Sequence, residues 1–249
     1  MPRANRFFVP GHVWHVTHRC HKREFLLKFA RDKCRWVHWL FEASKRFEVS
    51  ILNYTVTSNH IHLLVKDKSF ASEIPNTLQL VAGRAAQEFN QRKRRKGAFW
   101  EDRYHATAIQ TGTHLWRGLV YVDLNMVRAG VVQHPKDWPF GGYHELVGNK
   151  TRNRILDRQA LLNLLGLTDV AELKQQHQNL IDEAVSQQSL ERDCRWTESV
   201  AVGSRDFVSG FQEQLKAKGK GRQVIEGQDE KWIVREGLNA YGAVFDPKN

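Results

Sequence analysis

Cysteine is scarce: three in 249 residues, at positions 20, 34 and 194. The odd number and the lack of any C-x-x-C pair exclude a disulfide framework and a zinc knuckle. We read all three as small core residues. Long apolar runs are also missing. No stretch approaches the roughly 18 uncharged apolar residues of a membrane span, and the N-terminal MPRANRFFVPG has no apolar segment of the signal-peptide kind. The expectation is a cytoplasmic protein with no membrane partner. There is no internal repeat, no low-complexity tract and no G-x-x-x-x-G-K-[ST] phosphate loop.

Positive charge is plentiful and unevenly placed. The 38 Lys and Arg exceed the 27 Asp and Glu by 11, and the isoelectric point is about 9.7. Residues 1–148 carry 23 basic against 12 acidic side chains, whereas residues 149–249 carry 15 of each. A basic part joined to a neutral part points to a polyanionic partner for the first, most often nucleic acid. The plain alternative is a basic surface that only keeps the chain in solution. With 41% hydrophobic residues and this length, the chain can bury one large domain, or one domain plus an extension.

Hydrophobic periodicity sets the element order. Residues 12–20 alternate as a strand, and Trp36, Leu40, Ala43 and Phe47 mark a helix over about 29–47. Residues 50–57 and 60–66 form a hairpin turning at Ser58-Asn59. A helix over about 71–95 follows, with Leu78, Val81, Ala85 and Phe89 on one face. A strand over 103–109 and a helix over 113–129, closed by Gly130, complete the series. Strand, helix, hairpin, helix, strand and helix make an α+β fold, an α/β sandwich on a largely antiparallel sheet. Residues 151 to about 200 are read as helical and polar. The Gly/Lys-rich stretch KAKGKGRQ (216–223) is read as a solvated linker in preference to the alternative, a mobile loop or phosphate-contacting wing.

Two constellations carry chemistry. In SNHIHLLV (58–65), His60 and His62 share one face of a strand while Ile61 and Leu63 take the other. Paired imidazoles supply two ligands of a divalent ion and leave positions open; two half-exposed histidines of no special role are the plain alternative. In LVYVDLNMVRAG (119–130), helical spacing makes Trp116, Val120, Leu124 and Val127 the buried stripe. Arg117, Tyr121, Asn125 and Arg128 then form a neighbouring polar stripe. A phenol with a reference pKa of about 10 needs activation to attack. The four histidines at 12, 15, 18 and 21 alternate faces along a strand, so they do not converge on a metal.

These two segments, with DWPFGGYH (137–144), resemble the IS200-type single-tyrosine transposases, whose HUH motif is histidine, bulky apolar, histidine. The long extension and the ending WIVREGLNAYGAVFDPKN are most similar to the REP-associated tyrosine transposases of bacteria. The resemblance covers residues 5–148. It implies a ferredoxin-like HUH endonuclease domain over 1–148 and a mainly helical extension over 149–249 with a DNA-binding or regulatory role. His60 and His62 match the metal-binding histidines, Tyr121 the nucleophile, and Asn125 a third, amide ligand; Asp123 is the alternative third ligand. The cofactor implied is Mg²⁺ or Mn²⁺. The partner implied is single-stranded or hairpin DNA, bound by a monomer or homodimer associated with the bacterial nucleoid. The reaction implied is strand transfer through a 5′-phosphotyrosine link.

For gripping DNA, the run Arg92, Lys93, Arg94, Arg95 and Lys96 beside Phe99 and Trp100 is the expected phosphate and base contact. Arg103, Arg117, Arg128 and Lys22-Arg23 are further candidates. Two other functions compete. One is a domesticated DNA-binding protein or repressor that no longer cuts; the other is a phosphoester metallohydrolase in which water attacks and Tyr121 only packs.

Overall fold

The computed structural model describes residues 8–68, 72–148, 152–188, 190–191, 193–215, 222–226 and 232–236. Strand β1 (Val13–Arg19) leads to helix α1 (Ala30–Arg46), then the hairpin β2 (Val49–Val56) and β3 (His60–Asp67). Helix α2 (Glu73–Arg92) and strand β4 (His105–Ile109) follow. The first four strands lie in the order β2-β3-β1-β4, with β1 antiparallel to both neighbours. This is the expected ferredoxin-like arrangement. Each boundary lies within a few residues of the periodicity that predicts it, because the apolar faces are long and unbroken. Trp36, Leu40 and Ala43 of α1, and Leu78, Val81, Ala85 and Phe89 of α2, are all buried.

Strand alternation then sorts side chains between two faces. Trp14 and Val16 point to one side of β1, and His15 and Thr17 to the other. Register sets Thr17 opposite both His62 and His105, and His15 opposite Leu64 and Thr107. A polar patch therefore forms on three adjacent central strands, against which the next helix packs.

That helix breaks once. Helix α3 (Thr113–Asp123) stops at Leu124, whose ψ is 0°, and α4 (Asn125–Arg128) resumes at once. The expected buried stripe is only half of what is covered. Leu115, Gly118, Leu119 and Val122 face the sheet, while Val120, Leu124 and Val127 pack with Tyr143 and Ile181 on the other side. Two buried sides arise because the C-terminal part folds back on α3, which helix periodicity alone does not reveal.

The remaining helices are α5 (Tyr143–Val147), α6 (Arg158–Leu165), α7 (Val170–Ser186), α8 (Arg195–Glu198) and α9 (Arg205–Gln214). Three strands accompany them: β5 (Ala201–Gly203), β6 (Arg222–Glu226) and β7 (Trp232–Glu236). β5 pairs in parallel with β4, and the sheet continues as β4-β5-β7-β6 to seven strands. One hydrophobic core runs from Val13 to Val234. Residues 216–221 of the Gly/Lys-rich stretch and the ending 237–249 lie outside the described residues. Of the cysteines, only Cys20 is a buried core residue; Cys34 is exposed and Cys194 half-buried, since position 34 falls on the outer side of α1. Among the described residues no helix is long and apolar enough to cross a membrane.

Candidate active site

A cleft of about 750 Å³ opens at the ends of β1, β3 and β4, beside the α3–α4 break. His60, His62, Tyr121 and Asn125 all line it. The ring centroids of His60 and His62 are 5.0 Å apart, and those of His62 and Tyr121 5.9 Å. The asparagine amide reaches His62 directly, with Nδ2 2.8 Å from Nε2. Sixty residues of chain thus separate groups that meet on one sheet face.

Both imidazoles are held from behind. His60 Nδ1 lies 2.7 Å from Asn59 Oδ1, while the Asn59 amide donates through Nδ2 to the carbonyl of Arg23 at 3.2 Å. Lys22 and Arg23 have φ of 51° and 59°, left-handed values that non-glycine residues seldom adopt; this strained pair presents that carbonyl. His62 Nδ1 lies 2.9 Å from His15 Nε2, and His15 Nδ1 lies 2.8 Å from the carbonyl of Trp196. Burial pushes the His15 pKa down to about 3 against the raising effect of the Trp196 carbonyl, with His105 and Arg128 adding to the depression. Two residues of the 12-15-18-21 series join the site: His15 from behind through His62, and His18 as a lining residue of the cleft. His18 also stacks on Trp100 at 4.1 Å, whereas His12 lies elsewhere and bonds Gln214.

Tyr121 is 7% exposed. Its ring sits among His15 at 5.8 Å, His62, and Trp196 at 5.8 Å. Arg128 covers the ring, its guanidinium carbon 4.1 Å from the centroid, and donates to the Tyr121 carbonyl. Burial lowers the Arg128 pKa, and the neighbouring Tyr121 and Asp193 work in the opposite direction. The guanidinium thus makes a cation–π contact with the phenol ring.

The ligand chemistry suits a divalent ion. A δ-protonated imidazole carries its lone pair on Nε2, and the Nδ1 of each histidine lies within hydrogen-bond reach of a partner behind the site. Asn125 adds an amide whose oxygen and nitrogen share one rotor. Among the described residues no group of three or more His, Cys, Asp or Glu is placed to hold a metal; the further donor beside His62 is the Asn125 amide. Asp123 is not that ligand. Two positions past Tyr121 it points across the helix, and its Oδ2 meets His177 Nε2 at 2.7 Å with both side chains buried.

The basic run stands apart from this cleft. Arg92 pairs with Asp32, Arg95 lies 3.8 Å from Glu24, and Lys93 sits over the Phe29 ring at 5.4 Å. Arg92, Lys93, Arg94, Arg95, Lys96, Trp100 and Arg117 are not among the lining residues, whereas Arg103 and Arg128 are, joined by Arg19 and Arg23. The sequence reading missed His15 and the lining residues Thr17, Thr197 and Glu198. Thr17 and His15 were readable from alternation once β1 is paired with β3; the other two come from a part of the chain without a local motif.

Residues 9–117 match the family described as "Transposase IS200 like". That span is 109 of the 249 residues, so the likeness to IS200-like transposases covers under half of the chain. The matched span includes His60 and His62 and ends just before Tyr121, so the tyrosine enters the site on geometry. A Haemophilus influenzae relative named "Putative REP-associated tyrosine transposase" is 30% identical over 98 residues, 36% of this chain and 56% of the relative. The chain thus spans about half the length of that curated relative. A solved structure titled as a REP-associated tyrosine transposase bound to a REP hairpin covers 59% of this chain and 86% of its own, at 20% identity and a TM-score of 0.47.

Proposed function

We propose that this protein is an IS200-like transposase: a metal-dependent endonuclease and strand transferase for single-stranded, hairpin-bearing DNA, working through a 5′-phosphotyrosine link. The observation that carries this reading is the meeting of Tyr121 with His60, His62 and Asn125 in one arginine-lined cleft. The relative's name, with its reference to REP elements and a tyrosine, supports the same class of reaction.

In this reading the phosphate of a single strand enters between Arg103, Arg23 and Arg19, which neutralise its charge. His60, His62 and Asn125 would hold a Mg²⁺ or Mn²⁺ ion, which when bound withdraws charge from a phosphoryl oxygen. The Tyr121 phenol gives up its proton and its oxygen attacks phosphorus; the bond to the 3′-oxygen breaks, and that oxygen takes a proton to become a 3′-hydroxyl. Arg128 steadies the phenolate and fixes the ring. One phosphodiester replaces another, so a 3′-hydroxyl can reverse the step and join strands without ATP. Residues 149–249 act here as a regulatory or DNA-contacting extension of a catalytic unit over 1–148, since Thr197 and Glu198 line the same cleft.

The test is a labelled hairpin oligonucleotide incubated with the protein and Mn²⁺, then run under denaturing conditions. A protein–DNA band with the native chain and none with Tyr121→Phe is expected. Cutting without a covalent band would favour attack by water, and tight binding without cutting would favour a DNA-binding repressor.

A further inference from the structure

The cleft resolves a question that the paired histidines raise: which nitrogen of each ring faces the ion. For His62 the answer runs through a residue with no assigned role. The Trp196 carbonyl can only accept, so His15 Nδ1, 2.8 Å away, carries a proton. His15 is 1% exposed, and a buried neutral imidazole has one proton, which leaves its Nε2 as an acceptor. His62 Nδ1, 2.9 Å from that acceptor, must then be the donor. The lone pair of His62 is thereby assigned to Nε2, the atom that meets the Asn125 amide at 2.8 Å. His60 reaches the same tautomer by a separate route through Asn59 and the Arg23 carbonyl.

We propose that His15 is a positioning residue that fixes the tautomer and ring orientation of His62, and that Trp196 of the extension anchors this relay through its backbone carbonyl. The inference rests on the metal-site reading above for its purpose, though its proton logic does not. The anchor itself is well tied. Thr107 Oγ1 lies 2.7 Å from the Ser199 carbonyl and 3.2 Å from that of Trp196, and His105 Nε2 lies 3.0 Å from the Ser199 carbonyl. The short segment from α8 to β5 is thus laced to β4 on the very strands that carry the site. Metal-ligating histidines generally depend on such an outer partner, and losing it typically weakens metal binding 10–100-fold.

The experiment uses the full chain, free of metal, with ¹⁵N-labelled histidine, and reads the His62 tautomer by long-range nitrogen–proton NMR. Mn²⁺ affinity is then measured by calorimetry. Native protein should show His62 protonated on Nδ1. His15→Leu should lose that preference and bind Mn²⁺ about 10–100-fold more weakly. His15→Gln, whose amide can donate to Trp196 and accept from His62, should restore most of both. An Nε2-protonated His62 in the native chain, or a His15→Leu variant that binds Mn²⁺ as tightly as native, would overturn the proposal. If native protein binds no Mn²⁺, the metal reading fails while the tautomer still decides the part played by His15. If the leucine variant does not fold, the native spectrum and the glutamine variant carry the test.

Discussion

Replacing Asp123 with alanine should damage the fold and spare the chemistry. Asp123 and His177 form a buried pair, Oδ2 to Nε2 2.7 Å, with side chains 1% and 0% exposed. It joins α3 to α7 of the extension beside Trp116, whose ring lies 6.3 Å from His177. Removing the carboxylate leaves a buried imidazole N–H with nothing to bond. The cost is about 3–5 kcal/mol if that ring is charged and about 1–3 kcal/mol if it is neutral. Either exceeds the roughly 0.5 kcal/mol of an ordinary surface substitution. At about 2–4 °C per kcal/mol for a chain of this length, the midpoint should fall by roughly 2–20 °C. Pairing Asp123→Leu with His177→Leu should recover much of the loss, because no polar group is then stranded. Thermal unfolding followed by circular dichroism reads the first effect, and Mn²⁺ calorimetry the second. Asn125→Ala should show the opposite pattern, with a near-native midpoint and weakened Mn²⁺ binding. The reasoning is refuted if Asp123→Ala melts within about 2 °C of native or weakens Mn²⁺ binding more than Asn125→Ala does.

Two further outcomes follow from local geometry. A Cβ at Gly142 would lie 2.2 Å from Asn53 Oδ1 and 3.3 Å from the Tyr54 amide nitrogen, so Gly142→Ala should cost about 1–3 kcal/mol; an unchanged urea midpoint would show that this loop yields freely. Burial raises the pKa of Asp157, but the Ala160 amide, the Ser50 hydroxyl and Lys68 outweigh it and the net shift is downward. A carboxyl with a depressed folded pKa stabilises fully above its unfolded value of about 3.9 and loses that contribution as pH falls through the folded value. Asp157→Asn keeps the cap on α6 and should flatten the acid limb of a midpoint-against-pH curve; identical limbs would remove Asp157 from the account.

Much of the central fold was legible because its signals are local. The β1–α1–β2–β3–α2–β4 order follows from apolar spacing within each segment, and the His60/His62 and Tyr121/Asn125 pairs follow from strand and helix periods. What stayed hidden depends on contacts distant in sequence. α3 looked single-faced because nothing near Val120 or Leu124 announces that Ile181 will cover them. β5 is three residues long, and Ala201–Gly203 becomes a strand only by pairing with β4. The run at 92–96 looked like the DNA grip because charge is visible in a sequence, whereas the acidic partners Asp32 and Glu24 are brought to it by folding. Asp123 looked ligand-like by its chemistry; the angular step along a helix turns it to His177.

The sheet also has something to say about company. An unpaired strand edge invites another chain to add itself, and the four central strands expose two such margins by topology. Here the molecule covers part of each with its own backbone. β5 lies along the outer side of β4, and beyond β2 the amide of Val56 donates to the Phe140 carbonyl while those of Gly142 and Asp157 donate to Tyr54 and Ile51. A second copy that added a strand along Ala108–Ile109, or beside Ile51, Tyr54 and Val56, would first have to peel away a piece of the same polypeptide.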